Sequence, residues 1–210
     1  MLEKLPDAVG LALINQRAGM ESVVYNELYR VRQTSRIDLH SPAFVFNGEL
    51  PVRFTADGRG LSPPLEWGEV PAGARSLALI VEDADSPTPH PLVHAIVVNL
   101  GAGAALDEGA LASPDHDGTG LMTGQNSFLT HAWLPPDPPP GHGEHRYVFQ
   151  IFALPAEATF EDAPGRHAFI QTVLRHAIGV GCLIGTYERA AAEKTLIDGD
   201  VGFGDASPVV

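Results

Sequence analysis

The chain has 210 residues, 44% of them apolar, and a net charge of -13 from 13 basic and 26 acidic groups. That length suits a single domain with an adequate core of its own, and the charge has the wrong sign for gripping nucleic-acid phosphates or anionic membrane surfaces. The lone cysteine, Cys182, excludes an internal disulfide or a cysteine-rich zinc site, and with an N-terminal segment charged at Glu3, Lys4, Asp7, Arg17, Glu21 and Glu27 it predicts a cytoplasmic protein without secretory signal or membrane span.

Residues 1–40 read as a helical N-terminal arm. They carry five basic and five acidic groups, so the acidic excess falls on the remainder. Leu2, Leu5, Val9, Ala12 and Leu13 recur at three- and four-residue steps, the spacing of an amphipathic helix. After a break at Ala18-Gly19 comes a second apolar set, Val23, Val24 and Leu28. A neutral apolar stripe beside an acidic body predicts packing on that body or on a second copy, as a homodimer.

From residue 41 short apolar runs alternate with turn residues, among them Gly48, Pro51, Asp57-Gly58 and Pro63-Pro64, which predicts a mostly β domain over 41–189. Residues 77–81 and 93–98 read as central strands covered on both faces, the second interrupted only by His94. Residues 101–144 hold eight glycines and six prolines in 44 positions and form no single regular element; a loop that long in a compact domain is commonly functional. Its end, Leu134-Pro135-Pro136-Asp137-Pro138-Pro139-Pro140-Gly141, is stiff because each proline fixes φ. A third strand follows at 147–154, then a helix at 166–180 and a strand at 183–187. The tail, 190–210, shows no period and reads as loosely held.

Three stretches offer chemistry. Glu82-Asp83-Ala84-Asp85-Ser86-Pro87 closes an apolar strand; Asp83 and Asp85, two apart, share a face if the chain stays extended, or serve a turn before Pro87. His94 needs partners for its nitrogens wherever it is buried. His145 and Tyr147 share a strand face and offer donors suited to phosphate or carboxylate. No Gly-x-Ser-x-Gly elbow, phosphate-cradling glycine loop or His-x-Glu-x-x-His spacing occurs, and Cys182 sits in an apolar segment.

Taken together and in order, these stretches resemble the phosphatidylethanolamine-binding protein family, also called the Raf kinase inhibitor protein family, in its bacterial branch. The resemblance rests on Phe54-Thr55-Ala56-Asp57-Gly58 through Ser62-Pro63-Pro64-Leu65-Glu66-Trp67, on Asp83-Ala84-Asp85-Ser86-Pro87, on residues 94–99, on Pro138-Pro139-Pro140-Gly141 through His145-Arg146-Tyr147-Val148-Phe149, and on Leu183-Ile184-Gly185-Thr186-Tyr187-Glu188-Arg189. It implies a two-sheet antiparallel β-sandwich with peripheral helices, and an anion-binding pocket at one end. Asp83, Asp85, His94, His145 and Tyr147 would line that pocket, with Pro138 and Pro139 as rim. Ala95 stands where the family usually carries an aromatic residue. The function so implied is non-enzymatic: capture of a small anion or phosphorylated lipid headgroup, modulating a protein partner such as a kinase or hydrolase, with no catalytic residue, metal or cofactor. The rival expectations are a hydrolase built on the same Asp and His side chains, with or without a metal, and an interaction protein acting through its arm.

Overall fold

A computed structural model describes residues 7–103, 105–111, 121–160 and 162–189. Its centre is three long neighbouring strands, β5 (Ser76–Asp83), β6 (Leu92–Leu100) and β8 (His145–Leu154), joined by β9 (Gly179–Tyr187). With the two-residue strands β1 (Ser35–Arg36), β3 (Gly48–Glu49) and β7 (Met122–Thr123) they make a seven-stranded sheet in the order β1-β9-β8-β5-β6-β7, with β3 also on β9. The predicted runs at 77–81, 93–98 and 147–154 all lie in these strands, and their buried side chains fill both faces of the sheet.

Two corrections to the expected sandwich follow. The sheet is mixed, because β1 and β3 both run parallel to β9. The second sheet is a single antiparallel pair, β2 (Leu39–His40) with β4 (Glu66–Trp67). One face of the large sheet is therefore covered chiefly by connecting segments: Ile37, Phe44, Leu50, Leu65, Leu106 and Trp133 pack there with Leu79, Val97, Phe149 and Leu183. Helices cover the other face, α2 (Val24–Val31) and α3 (Arg166–His176), through Val24, Leu28, Phe169 and Val173 against Ile80, Ile96 and Phe152.

The apolar signal of β9 is interrupted where glycine is required. A Cβ on Gly181 would fall 2.7 Å from the Ile37 carbonyl oxygen, and one on Gly185 2.5 Å from Leu50 Cδ2. Those close approaches let neighbouring segments lie flat on the strand. The predicted helix at 166–180 ends at His176, so Ile178 lies beyond it.

The arm is folded against the body. Helix α1 (Asp7–Leu13) meets the proline segment, where a Cβ on Gly10 would sit 1.9 Å from the Pro140 carbonyl oxygen. Ala18 and Gly19 donate their N–H groups to the carbonyls of Ser86 and Ala84, at 3.0 and 2.7 Å. Val23, Val24 and Leu28, part of the apolar stripe behind the homodimer expectation, are buried in the chain's own core. Leu2, Leu5 and the tail 190–210 lie outside the described residues. No helix among the described residues is long and apolar enough to cross a membrane.

Candidate functional site

Strand register assembles the site. Asp83 pairs with Tyr147 across β5 and β8, which puts both side chains on one face; His145, two residues before Tyr147, joins them. His94 arrives differently. Val81 pairs with Ala95 and Glu82 with Val93, so His94 is the extra residue of a β-bulge on β6. A bulge re-aims a side chain. Here it brings the His94 ring edge-on to Tyr147, with centroids 5.1 Å apart, while His145 stacks on Tyr147 at 6.4 Å. The aromatic neighbour of His94 is Trp133, from the long connection, at 5.9 Å.

A cavity of about 420 Å³ opens beside these rings, a volume suited to a small ligand. Asp83, His94, His145, Pro138 and Pro139 line it, with Asp137 and a largely apolar remainder that includes Pro135, Leu134 and Phe128. Tyr147, fully buried, packs behind both imidazoles without lining the cavity itself. Asp85 does not join the others. The strand stops at Asp83, whose Oδ1 accepts the Asp85 N–H at 2.8 Å, and this turn swings Asp85 away to accept from Arg146 Nε and Nη2 at 2.7 Å. Arg17 of the arm also contacts Asp85, at 3.0 Å. The acidic stretch thus forms the turn, and of its two aspartates only Asp83 lines the cavity.

The imidazole protons follow from their partners. A carbonyl oxygen only accepts, so His142 Nε2 donates to Leu13 O at 2.8 Å. Burial lowers the His142 pKa, so its Nδ1 carries a lone pair and accepts from His145 Nε2 at 2.6 Å. His145 Nδ1 faces Asp83 Oδ2 at 2.8 Å and donates to that carboxylate. Both ring nitrogens of His145 are therefore engaged inside the protein, between Asp83 and a neutral histidine tied to the arm. Sequence reasoning gave His142 no such role. Its signal is the flanking pair Gly141 and Gly143, at φ 76° and 89°, which folds the segment back on itself.

His94 is the opposite case. Its Nδ1 donates to Leu134 O at 2.6 Å, and burial outweighs the nearby Asp83 charge in lowering its pKa, so Nε2 is a bare acceptor. Burial also raises the Tyr147 phenol well above its usual value, which keeps the O–H on. Among the described residues, His94 Nε2 and Tyr147 Oη are the buried side-chain polar atoms without a partner.

The rim is held by a residue that sequence reasoning left without a role. Arg189 donates from Nη1 to Asp137 at 2.5 Å and to Pro138 O at 3.1 Å, and from Nη2 to Asp57 at 2.7 Å. Tyr187 Oη also donates to Asp57, at 2.6 Å. Burial works to raise the Asp57 pKa, but the bonds from Arg189 and Tyr187 outweigh it and leave the carboxyl below its ordinary value. Both ends of this clamp, Asp57-Gly58 and Thr186-Tyr187-Glu188-Arg189, were present as motif residues. No group of three or more His, Cys, Asp or Glu among the described residues is arranged to hold a metal ion.

A ligand-sized cavity at the end of a mixed sheet, walled by prolines and backed by histidines, defines a class of small-ligand binding proteins. The profile described as phosphatidylethanolamine-binding protein matches residues 40–188. The chain is 33% identical to a UPF0098 protein of Methanothermobacter thermautotrophicus, over 73% of this chain and 99% of the relative. It is 35% identical to a UPF0098 protein of Chlamydia pneumoniae, over 73% and 100%. Among solved structures it is similar to a phosphatidylethanolamine-binding protein homologue, CT736, of Chlamydia trachomatis, with TM-score 0.65 and 32% identity over 74% of this chain and 99% of that one. YbcL of E. coli, described as a new member of the mammalian family, gives TM-score 0.67 and 26% identity over 72% and 98%. The chain belongs to the phosphatidylethanolamine-binding protein family, a family of ligand-binding proteins.

Proposed function

We propose that this protein is a non-enzymatic binding module that captures a small phosphate-type anion or phosphorylated headgroup in the cavity beside Asp83, His94, His145 and Tyr147. The observation that carries the reading is the pair of buried, partnerless polar atoms, His94 Nε2 and Tyr147 Oη, backing that cavity. Such atoms are costly to leave unmade, and a polar ligand relieves them. The His145 ring stands at the wall, held between Asp83 and His142, while the proline rim excludes water and donates no N–H of its own. Modulation of a protein partner, a kinase or hydrolase, and a cytoplasmic setting belong to the same proposal. The hydrolase alternative lacks a nucleophile in support: burial pushes the Cys182 thiol up to about 12, and Cys182 lies outside this cavity.

Calorimetric titration with inorganic phosphate tests the reading. His94→Ala is expected to weaken binding by about tenfold, the equivalent of one unsatisfied buried polar group, while Cys182→Ser leaves it unchanged. Equal affinity in both variants rejects the site.

A further inference from the structure

The N-terminal arm precedes the part of the chain shared with the family, which begins at residue 40, yet it holds the ligand cavity from behind. Two walls of that cavity come from separate stretches: Asp83, Ser86 and Pro87 from the turn after β5, and Pro138, Pro139 and His145 from the segment leading into β8. Arg17 joins them. Its Nη1 donates to Glu144 O at 2.8 Å and pairs with Asp85 Oδ1 at 3.0 Å, while its Nη2 donates to His142 O at 3.0 Å. Ala18 and Gly19 add N–H bonds to the carbonyls of Ser86 and Ala84. Leu13 O and Gln16 O hold the His142 ring, at 2.8 and 3.2 Å, and that ring meets His145, which in turn meets Asp83. None of these arm residues lines the cavity itself.

We infer that the arm belongs to the binding apparatus, with Arg17 as a positioning residue that clips the two walls together, so that ligand capture and arm docking favour each other. This rests on the pocket reading above and adds a determinant of its affinity. A guanidinium suits the task because it carries its donors in a fixed, planar fork. Reaching two main-chain carbonyls on one stretch and a carboxylate on the other, it sets the spacing between them. Asp85 is also bound by Arg146, at the start of β8, so the clip closes on groups that are already fixed. Detaching the arm gives the carbonyls of Ala84, Ser86 and His142 back to water and frees the His142 ring. The loss then passes through His142 and His145 to Asp83 at the cavity wall. A ligand seated between ordered walls therefore favours the docked arm, and by linkage the docked arm favours the ligand by the same factor.

Calorimetric titration with inorganic phosphate, paired with hydrogen exchange, tests this on the full chain. Arg17→Ala is expected to weaken phosphate binding by about fivefold or more, and Arg17→Lys, which keeps the charge but not the fork, to recover part of it. In the unaltered protein, saturating phosphate is expected to slow exchange at the Ala18 and Gly19 amides by a similar factor, relative to the Ala177 amide just past α3. Val173→Ala empties core volume under α3, on the other face of the sheet from Tyr147; it controls for lost stability and is expected to bind phosphate like the parent. Binding by Arg17→Ala within about twofold of the parent overturns the inference while the pocket reading stands, and so does equal weakening in Val173→Ala. Weakened binding without slowed exchange at Ala18 and Gly19 overturns the coupling to the arm. Failure of the parent to bind phosphate overturns the pocket reading and this inference with it.

Discussion

Replacing Arg166 by alanine is expected to cost about 3–5 kcal/mol of folding stability, the range for stripping a buried charge of its partner. Glu82 is fully buried on β5, where it accepts from Arg166 Nε at 2.7 Å, Gln150 Nε2 at 2.8 Å and the Val24 N–H at 3.0 Å. Arg166 opens α3 and also donates to Ser22 O at 2.7 Å, so this one carboxylate ties α2, α3 and two central strands together. Burial pushes the Glu82 pKa up even with Arg166 in place. Without the guanidinium it rises further, and the sign of the pH dependence follows. A carboxyl with a raised folded value holds its proton longer in the native state, so stability falls as pH climbs from the ordinary glutamate value of ~4.3 through the folded value, then levels. Urea unfolding of Arg166→Ala should show its smallest deficit in acid and its largest near neutrality, with much of the loss recovered by adding Glu82→Gln. A deficit below about 1 kcal/mol at every pH would show that the pair does not hold the helices.

Asp85→Asn should show the opposite dependence. Asp85 is 1% exposed and accepts from the Arg146 N–H at 2.9 Å as well as from both guanidinium positions and Arg17. Burial works to raise its pKa, yet the bonds from Arg146 and Arg17 prevail and hold it below the ordinary value. Its contribution is therefore complete above the ordinary aspartate value of ~3.9 and is lost as pH falls through the lower folded value. The variant should be about 2–3 kcal/mol less stable at neutral pH, since charged hydrogen bonds are lost, and should converge on the parent in strong acid. The loss should also reach the arm. Arg17 additionally donates to the Glu144 and His142 carbonyls at 2.8 and 3.0 Å, so hydrogen exchange at the Ala18 and Gly19 amides should quicken. Unchanged exchange there would separate the arm from this ion pair.

What was legible in the sequence follows physical lines. The central strands announced themselves because burial on both faces demands continuous apolar runs, and the period of two placed His145 with Tyr147 correctly. The same rule failed for Asp83 and Asp85, because a side-chain bond from Asp83 to the Asp85 N–H ends the strand between them. His94 looked like one polar residue interrupting a continuous apolar run; only register reveals the bulge that aims it. β1 and β3 are two residues each, too short for any periodic signal, and their parallel pairing with β9 depends on distant parts of the chain. Arg189 and His142 act through partners 132 and 129 residues away, Asp57 and Leu13, separations that no local pattern encodes.

The account turns on where the imidazole protons sit, and nitrogen NMR of the histidine side chains reads that directly. The expected spectrum has His142 neutral with its proton on Nε2, and His94 neutral with its proton on Nδ1 and a bare Nε2 that shifts when phosphate is added. A free protein in which His94 carries its proton on Nε2, or in which phosphate leaves the His94 resonances unmoved, would contradict it.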